Sequence, residues 1–218
     1  MSITPESVQE LLNSEDFGER IRGLNQLRQL DPETAFGLVR PLIIDKNTRV
    51  RYAAVSQLDT LGVTDKVVAL ELLRDRLFND PEPDVQAAAA DAIGGLKLTE
   101  AFADLDNVYH ETSEWLVQFS IIAALGELGE PESFALLKEA LHSNNNLLQT
   151  AAIGSMGELG DPQAIPFLKS FADHEDWQIR FRLVQALGRL GGEEAKVIIT
   201  KLVDDESEQV AQEAKNNL

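Results

Sequence analysis

Apolar positions recur along this chain in short helical stripes, and the stripes return at a nearly fixed interval. The segment SEWLVQFSIIAALGELG from Ser113 reappears as NNLLQTAAIGSMGELG from Asn145 and DWQIRFRLVQALGRLG from Asp176. Upstream it appears as NTRVRYAAVSQLDTLG from Asn47 and PEPDVQAAAADAIGGL from Pro81. One apolar anchor marks the register, at Leu27, Leu58, Ile93, Leu125, Met156, Leu187 and Leu218, with separations of 31, 35, 32, 31, 31 and 31 residues. Self-similarity at such a period marks stacked supersecondary units that bury their apolar faces on one another.

Within each unit the period is helical. At about 100° per residue, the positions eight and four before the anchor fall beside it on one face. They hold Val50/Ala54, Val85/Ala89, Val117/Ile121, Leu148/Ala152 and Ile179/Leu183. Leu61, Leu96, Leu128, Leu159 and Leu190, three after the anchor, extend the stripe. The alanines allow neighbouring helices to approach to about 8 Å, the short end of helix packing distances. The first unit departs from the pattern, with Glu19 where Val is expected, as terminal repeats often do.

Start and stop signals agree with that period. Thr4-Pro5 opens a first helix ending near Asn13, Asp16 caps a second running to Leu30, and Asp31-Pro32 leads into a third reaching about Ile44. Asn47 begins the next, closed by Gly62. Gly129, Gly160 and Gly191 follow the last apolar residue of their helices, where a left-handed cap favours glycine. Glu130-Pro131 and Asp161-Pro162 restart the chain. No segment alternates with the two-residue period of a strand. The expectation is an all-α superhelix of the HEAT or armadillo kind, about six to seven helix pairs in a single repeat domain over residues 1–218.

Two registers of polar and aromatic residues stand out against the apolar stripe. Seven before the anchor runs a ladder of Arg20, Arg51, Gln86, Gln118, Gln149 and Arg180. The wheel places it about 20° from the anchor, so it is expected to satisfy buried polar groups between repeats rather than to bind a ligand. Six before the anchor, turned away from the core, lie Tyr52, Phe119 and Phe181, and one turn earlier Trp115 and Trp177, the only tryptophans of the chain. The same face carries Asp91, Gly154 and Thr150, then Glu127, Glu158 and Arg189. Polar residues there imply solvent, and exposed aromatics in a cluster mark contact surfaces. Asn146, Thr150 and Gly154 are all small and leave an expected hollow between the aromatic ridges. The expected ligand- or partner-binding set is therefore Tyr52, Asp91, Trp115, Phe119, Glu127, Thr150, Gly154, Glu158, Trp177, Phe181 and Arg189. The competing expectation is that the aromatics wedge between repeats.

No enzyme motif accompanies this face. The spacing of His110, His142 and His174 forbids a shared metal and predicts a row of exposed turn histidines. Asp204-Asp205 lacks a companion base and is expected to be a solvated cap. No phosphate loop, nucleotide fingerprint or nucleophile triad is present, so no catalytic or metal-binding residue is expected. The chain has no Cys, which excludes disulfides and thiolate sites and suits a reducing, cytoplasmic setting. Its first residues lack a signal peptide's pattern, and no apolar run approaches the roughly 20 residues of a membrane helix. A net charge of −18 argues against nucleic acid. The charge is uneven: residues 20–51 carry a net of +4 (seven basic, three acidic) and residues 98–175 a net of −11 (two basic, thirteen acidic).

The runs Ser113-Glu114-Trp115-Leu116-Val117-Gln118, Leu125-Gly126-Glu127-Leu128-Gly129 and Arg49-Val50-Arg51-Tyr52-Ala53-Ala54-Val55-Ser56 resemble the cyanobacterial HEAT-like family of E/F-type phycobilin lyase subunits and phycobilisome degradation proteins. The Leu-Gly-x-Leu-Gly motif is common to many such repeats; the Glu-Trp-Leu-Val and Asp-Trp-Gln-Ile openings are the more specific part. The resemblance implies phycobiliproteins as partners and phycocyanobilin as a ligand, in antenna disassembly or in chromophore attachment or detachment. Without Cys the chain holds no bilin by its own thioether, so such chemistry would act on a partner's cysteine. A scaffold for an unrelated protein is the third reading.

Overall fold

A computed structural model describes residues 3–218. The helices are α1 (Pro5–Leu12), α2 (Phe17–Gln26), α3 (Pro32–Val39), α4 (Thr48–Ser56), α5 (Leu58–Leu61), α6 (Lys66–Asn79), α7 (Pro83–Gly95) and α8 (Phe102–Glu111). They continue as α9 (Trp115–Leu128), α10 (Ser133–Ala140), α11 (Asn146–Leu159), α12 (Ile165–Leu168), α13 (Trp177–Leu190), α14 (Gly192–Lys201) and α15 (Glu208–Asn216). Short 3-10 turns join several of them, and no strand occurs among the described residues. The fold is an all-α solenoid, in two compact units, Met1–Ser120 and Ile121–Leu218, whose boundary falls within α9.

The capping signals act as the sequence implies. Thr4 and Ser7 form a reciprocal capping box with Pro5 in the first turn, and Asp16, Asp31, Asn47, Asp65, Asn145 and Asp176 each accept a backbone N–H at a helix start. Pro41 has no N–H for the α-helical bond, and α3 gives way there to a 3-10 turn over Arg40–Ile44. The anchors Leu27, Leu58, Ile93, Leu125, Met156 and Leu187 are all fully buried, as are Val50, Val85, Val117 and Ile179 above them. Leu218 is the exception. It continues the register, yet it lies beyond α15 and is 53% exposed; Val210, Ala211 and Ala214 fill the core of that last helix.

The two glycines of Leu-Gly-x-Leu-Gly do different physical work. The second adopts the left-handed φ that ends the helix, +73° at Gly129, +74° at Gly160 and +66° at Gly191. The first permits close approach. A Cβ at Gly126 would lie 2.8 Å from Ser155 Cα, and one at Gly157 would lie 2.7 Å from Ala186 Cα. Each of those partners stands one place before the next anchor. At Gly188 a Cβ would collide with the Asn217 side chain, at the same place one repeat on.

The polar ladder is structural. Arg20, Arg51, Gln86, Gln118 and Arg180 each donate to the carbonyl six residues before them, at Ser14, Asp45, Asp80, Thr112 and His174, while Gln149 donates to Leu141. The arginines do more. Arg20 pairs with Asp45, Arg51 makes a two-pronged pair with Asp80, and Arg180 makes one with Asp205. Each aspartate opens the next repeat, thirteen before its anchor; where the ladder holds Gln, that place holds Thr112, Ser143 or His174. Arginine thus staples its own repeat to the following one, and the charge-matched residue sits in a fixed register.

These staples are desolvated. The side chains of Arg51 and Asp80 are 9% and 0% exposed, and those of Arg180 and Asp205 are both 6%. Burial alone would raise the Asp80 carboxyl. Hydrogen bonds from Arg51 and the Glu82 backbone, with the charges of Arg51 and Arg76, overturn that and hold it below the usual range. The Arg180 hydrogen bond holds Asp205 low too, and both guanidinium groups are raised in return. Asp205 is therefore an ion-pair partner and not the solvated cap that its neighbourhood in the sequence implies.

Candidate ligand- and partner-binding face

Each predicted aromatic starts from the first turns of a ladder-bearing helix. Trp115 and Trp177 are the first residues of α9 and α13. They remain 48% and 41% exposed, and Tyr52 on α4 is 48% exposed. Phe119 and Phe181, one turn on, are half-buried. In the second unit Trp177 and Phe181 meet edge to face, with ring centroids 6.4 Å apart, the arrangement that aromatic quadrupoles favour. Neither tryptophan is buried as a core wedge would be.

The hollow expected at Gly154 is filled. Gly154 is buried, and a Cβ there would lie 3.3 Å from Arg182 Cδ, so the Arg182 side chain from the next repeat lies across it. A wheel drawn for one helix cannot show what its neighbour lays over it. Arg182 is half-buried, and its guanidinium reaches neutral Gln185, at 3.3 Å from Nη1. No acidic partner compensates its charge among the described residues. Thr150 turns its hydroxyl back onto the Asn146 carbonyl.

Further along the same register the structure brings two expected residues together. Arg189 donates to Glu158 at 2.8 Å on the surface, one repeat apart. Glu127 is exposed. Asp91, in the first unit, is exposed, as expected, although protein packed around its carboxyl raises it, a hydrogen bond with Ser120 opposes the rise, and Asp59 adds to it.

The histidines depart from a uniform exposed row. His110 lies in the last turn of α8 and not in the connecting turn expected of it, and is exposed, with Nδ1 against the Asp106 carbonyl; His142 is exposed. His174 is half-buried: its Nδ1 accepts from the Asp176 backbone, its ring stacks on Phe171 at 6.3 Å, and its carbonyl receives Arg180. Among the described residues no group of three or more His, Cys, Asp or Glu is placed to hold a metal ion. No described helix is long and apolar enough to cross a membrane.

One surface cluster is not singled out by the repeat register, because it lies on the outer helices. Phe134 of α10 packs edge-on against Phe167 of α12 at 5.9 Å, and Lys138 Nζ lies 4.2 Å over the Phe167 ring. Its signal in the sequence is an aromatic in the short helix of two successive repeats, outside the ladder-bearing helices that define the period.

A family model described as HEAT repeats matches residues 70–155 and 136–218, more than half of the chain. No curated protein sequence matches significantly. The fold is similar to the complex of CpcE and CpcF of phycocyanin lyase from Nostoc sp. PCC7120, with a TM-score of 0.66 and 19% identity over 100% of this chain and 96% of that one. An archaeal HEAT-like repeats protein from Thermococcus onnurineus NA1 is similar with a TM-score of 0.61 and 15% identity, covering 100% of this chain and 96% of that one. An engineered protein gives 0.58 and 16%, covering 98% and 67%. At these identities the likenesses establish architecture alone. The repeat register, the buried anchors and the family match agree, and the chain belongs to the HEAT-repeat family.

Proposed function

We propose that this chain is a solenoid that binds phycobiliproteins, or the linear tetrapyrrole they carry, in phycobilisome disassembly, in the manner of an NblB-type degradation protein. The observation that carries this reading is the exposure of Trp115 and Trp177 at the helix starts whose sequences resemble that family. The likeness of fold to the CpcE and CpcF complex of phycocyanin lyase supports it.

The second unit has suitable chemistry for phycocyanobilin. Trp177 and Phe181 offer an aromatic surface for a conjugated plane, and Arg182, paired with no carboxylate, offers a charge for a propionate. No cysteine is available for a thioether, so the pigment would be held without a covalent bond. The bilin itself supplies the visible absorption and the conjugation; the chain supplies stacking and charge. A bilin lyase-type role, attaching or detaching phycocyanobilin on a partner's cysteine, is the second reading, favoured by the same structural likeness.

Affinity capture from pigmented cell extract tests the first reading: phycobiliprotein should be retained, and its absence would refute binding. Mixing the chain with free phycocyanobilin, and then with apo- and holo-phycocyanin, follows any transfer by the visible spectrum. Transfer in either direction would identify lyase-type action.

A further inference from the structure

In the repeats anchored at Leu125, Met156 and Leu187, the residue after the anchor is a glycine on which the next repeat closes. The first repeat has Arg28 at that place and faces Gln57, the equivalent of Ser155 and Ala186. No glycine stands on either side to admit the other. The second repeat solves the same problem in reverse: Asp59 occupies the position, and Gly95 of the following repeat makes room, since a Cβ there would collide with the Asp59 carboxylate. Between the first and second repeats the gap remains open. It forms a cavity of about 370 Å³, floored by Leu24, Leu27 and Leu61 and edged by Arg28, Gln57 and Thr60.

The cavity has one charged group, and that group is uncommitted. Arg28 is exposed and makes no hydrogen bond or ion pair among the described residues. In the same basic stretch Arg20, Arg22 and Arg51 are paired and Arg40 lies over the Phe36 ring, while Lys46 and Arg49, which do not line the cavity, are also without an ion pair among the described residues. The nearest acid in sequence, Asp31, is not part of the lining and is occupied in capping α3. An apolar floor with a single guanidinium and neutral amide and hydroxyl groups at its edge matches a ligand with an apolar body and one carboxylate. The volume is at the small end of ligand sites, which run from about 300 to 1,000 Å³.

We propose that this cavity is a binding site for a small amphipathic monocarboxylate, its apolar part on Leu24, Leu27 and Leu61 and its carboxylate on Arg28. Ser56, one turn after Tyr52 on α4, lines the cavity, so the site adjoins the aromatic face, but it does not depend on the pigment reading.

Hydrocinnamate is a suitable probe, with the corresponding neutral alcohol as control, followed by amide chemical-shift titration of the full chain. The acid should perturb the amides of Asn25, Arg28, Gln57 and Thr60 and bind at least about tenfold more tightly than the alcohol, as expected for a charge-assisted pair. Arg28→Gln should abolish that preference while leaving the alcohol's affinity unchanged. Thr60→Phe, which fills the cavity, should weaken both ligands, and thermal melts of both variants check that the fold persists. Equal affinity for acid and alcohol in the wild type, an unchanged preference in Arg28→Gln, perturbations confined to other surfaces, or no binding of either probe would each overturn the proposal.

Discussion

The first two repeats and those of the second unit reach the same architecture by different chemistry. In the first unit, buried Arg–Asp pairs tie one repeat to the next, at Arg20–Asp45 and Arg51–Asp80. The ladder-bearing helices of these first two repeats break at the anchor, where α2 passes into a 3-10 turn at Leu27 and α4 stops before α5 restarts at Leu58, whereas α7 runs unbroken through Ile93. In the second unit α11 and α13 each run unbroken for 14 residues, and Gly126 and Gly157 let backbone approach backbone. One ion pair of this kind remains there, Arg180–Asp205, at the C-terminal end. Charge-matched staples and small-residue contacts both join successive repeats, and the repeat that carries Arg180 and Gly188 uses both. Where Arg28 replaces the glycine, the interface keeps a cavity.

The staples give the largest expected effect. Asp80→Asn leaves Arg51 and Arg76 facing a neutral amide in a site with no exposure of the acid, and should destabilise the fold by about 3–5 kcal/mol in denaturant melts. Asp104→Asn removes a partner of Arg74 at a solvent-accessible pair, 39% and 24% exposed, and should cost at most about 1 kcal/mol. Equal losses from the two variants would remove the distinction between staple and surface pair.

Glycine substitutions probe the other half of the comparison. Gly157→Ala places a methyl against Ala186 backbone that cannot rotate away, and should cost about 1–3 kcal/mol. Gly154→Ala, three residues earlier on the same helix, meets only the flexible stem of Arg182 and should be neutral or stabilising by up to about 1 kcal/mol through helix propensity. If both variants melt alike, close backbone approach is not what fixes the second unit.

Acid sensitivity sharpens the contrast further. Asp80 and Asp205 have carboxyls lowered by their arginine partners. Their contribution is therefore complete above the unfolded value of about 3.9 and is lost as the pH falls through the lower folded values. Melts of the wild type between pH 5 and 2 should show a stability loss (roughly the window set by those carboxyls) that is shallower in Asp80→Asn. An identical acid limb in both proteins would contradict the linkage.

Much of this was legible in the repeat register. The anchors, the caps and the local half of the ladder, in which most of its side chains bond the carbonyl six residues back, follow from periodicity. What periodicity did not show involves the neighbouring repeat. Arg182 covers Gly154, and Asp205 leaves solvent for Arg180, because side chains from successive helices interleave. The Arg–Asp staple was present in the sequence as two registers that match, Arg with Asp and Gln with Thr, Ser or His, but only the packed structure explains why they should. Leu218 shows the reverse error: the register continues after the helix that it would serve has ended.

Binding through the aromatic face requires Trp115 and Trp177 to be surface and not core. The direct measurement is phycocyanin or phycocyanobilin binding by Trp115→Ala and Trp177→Ala, with thermal melts on the same samples. At 48% and 41% exposure, each truncation should cost at most about 1 kcal/mol of stability, even though Trp177→Ala also removes the edge-to-face packing on Phe181. A buried aromatic would cost about 3–5 kcal/mol. Binding should weaken at least about thirtyfold, as for a hot-spot aromatic contributing about 2 kcal/mol. Variants that melt far below the wild type while the folded fraction binds normally would contradict the account.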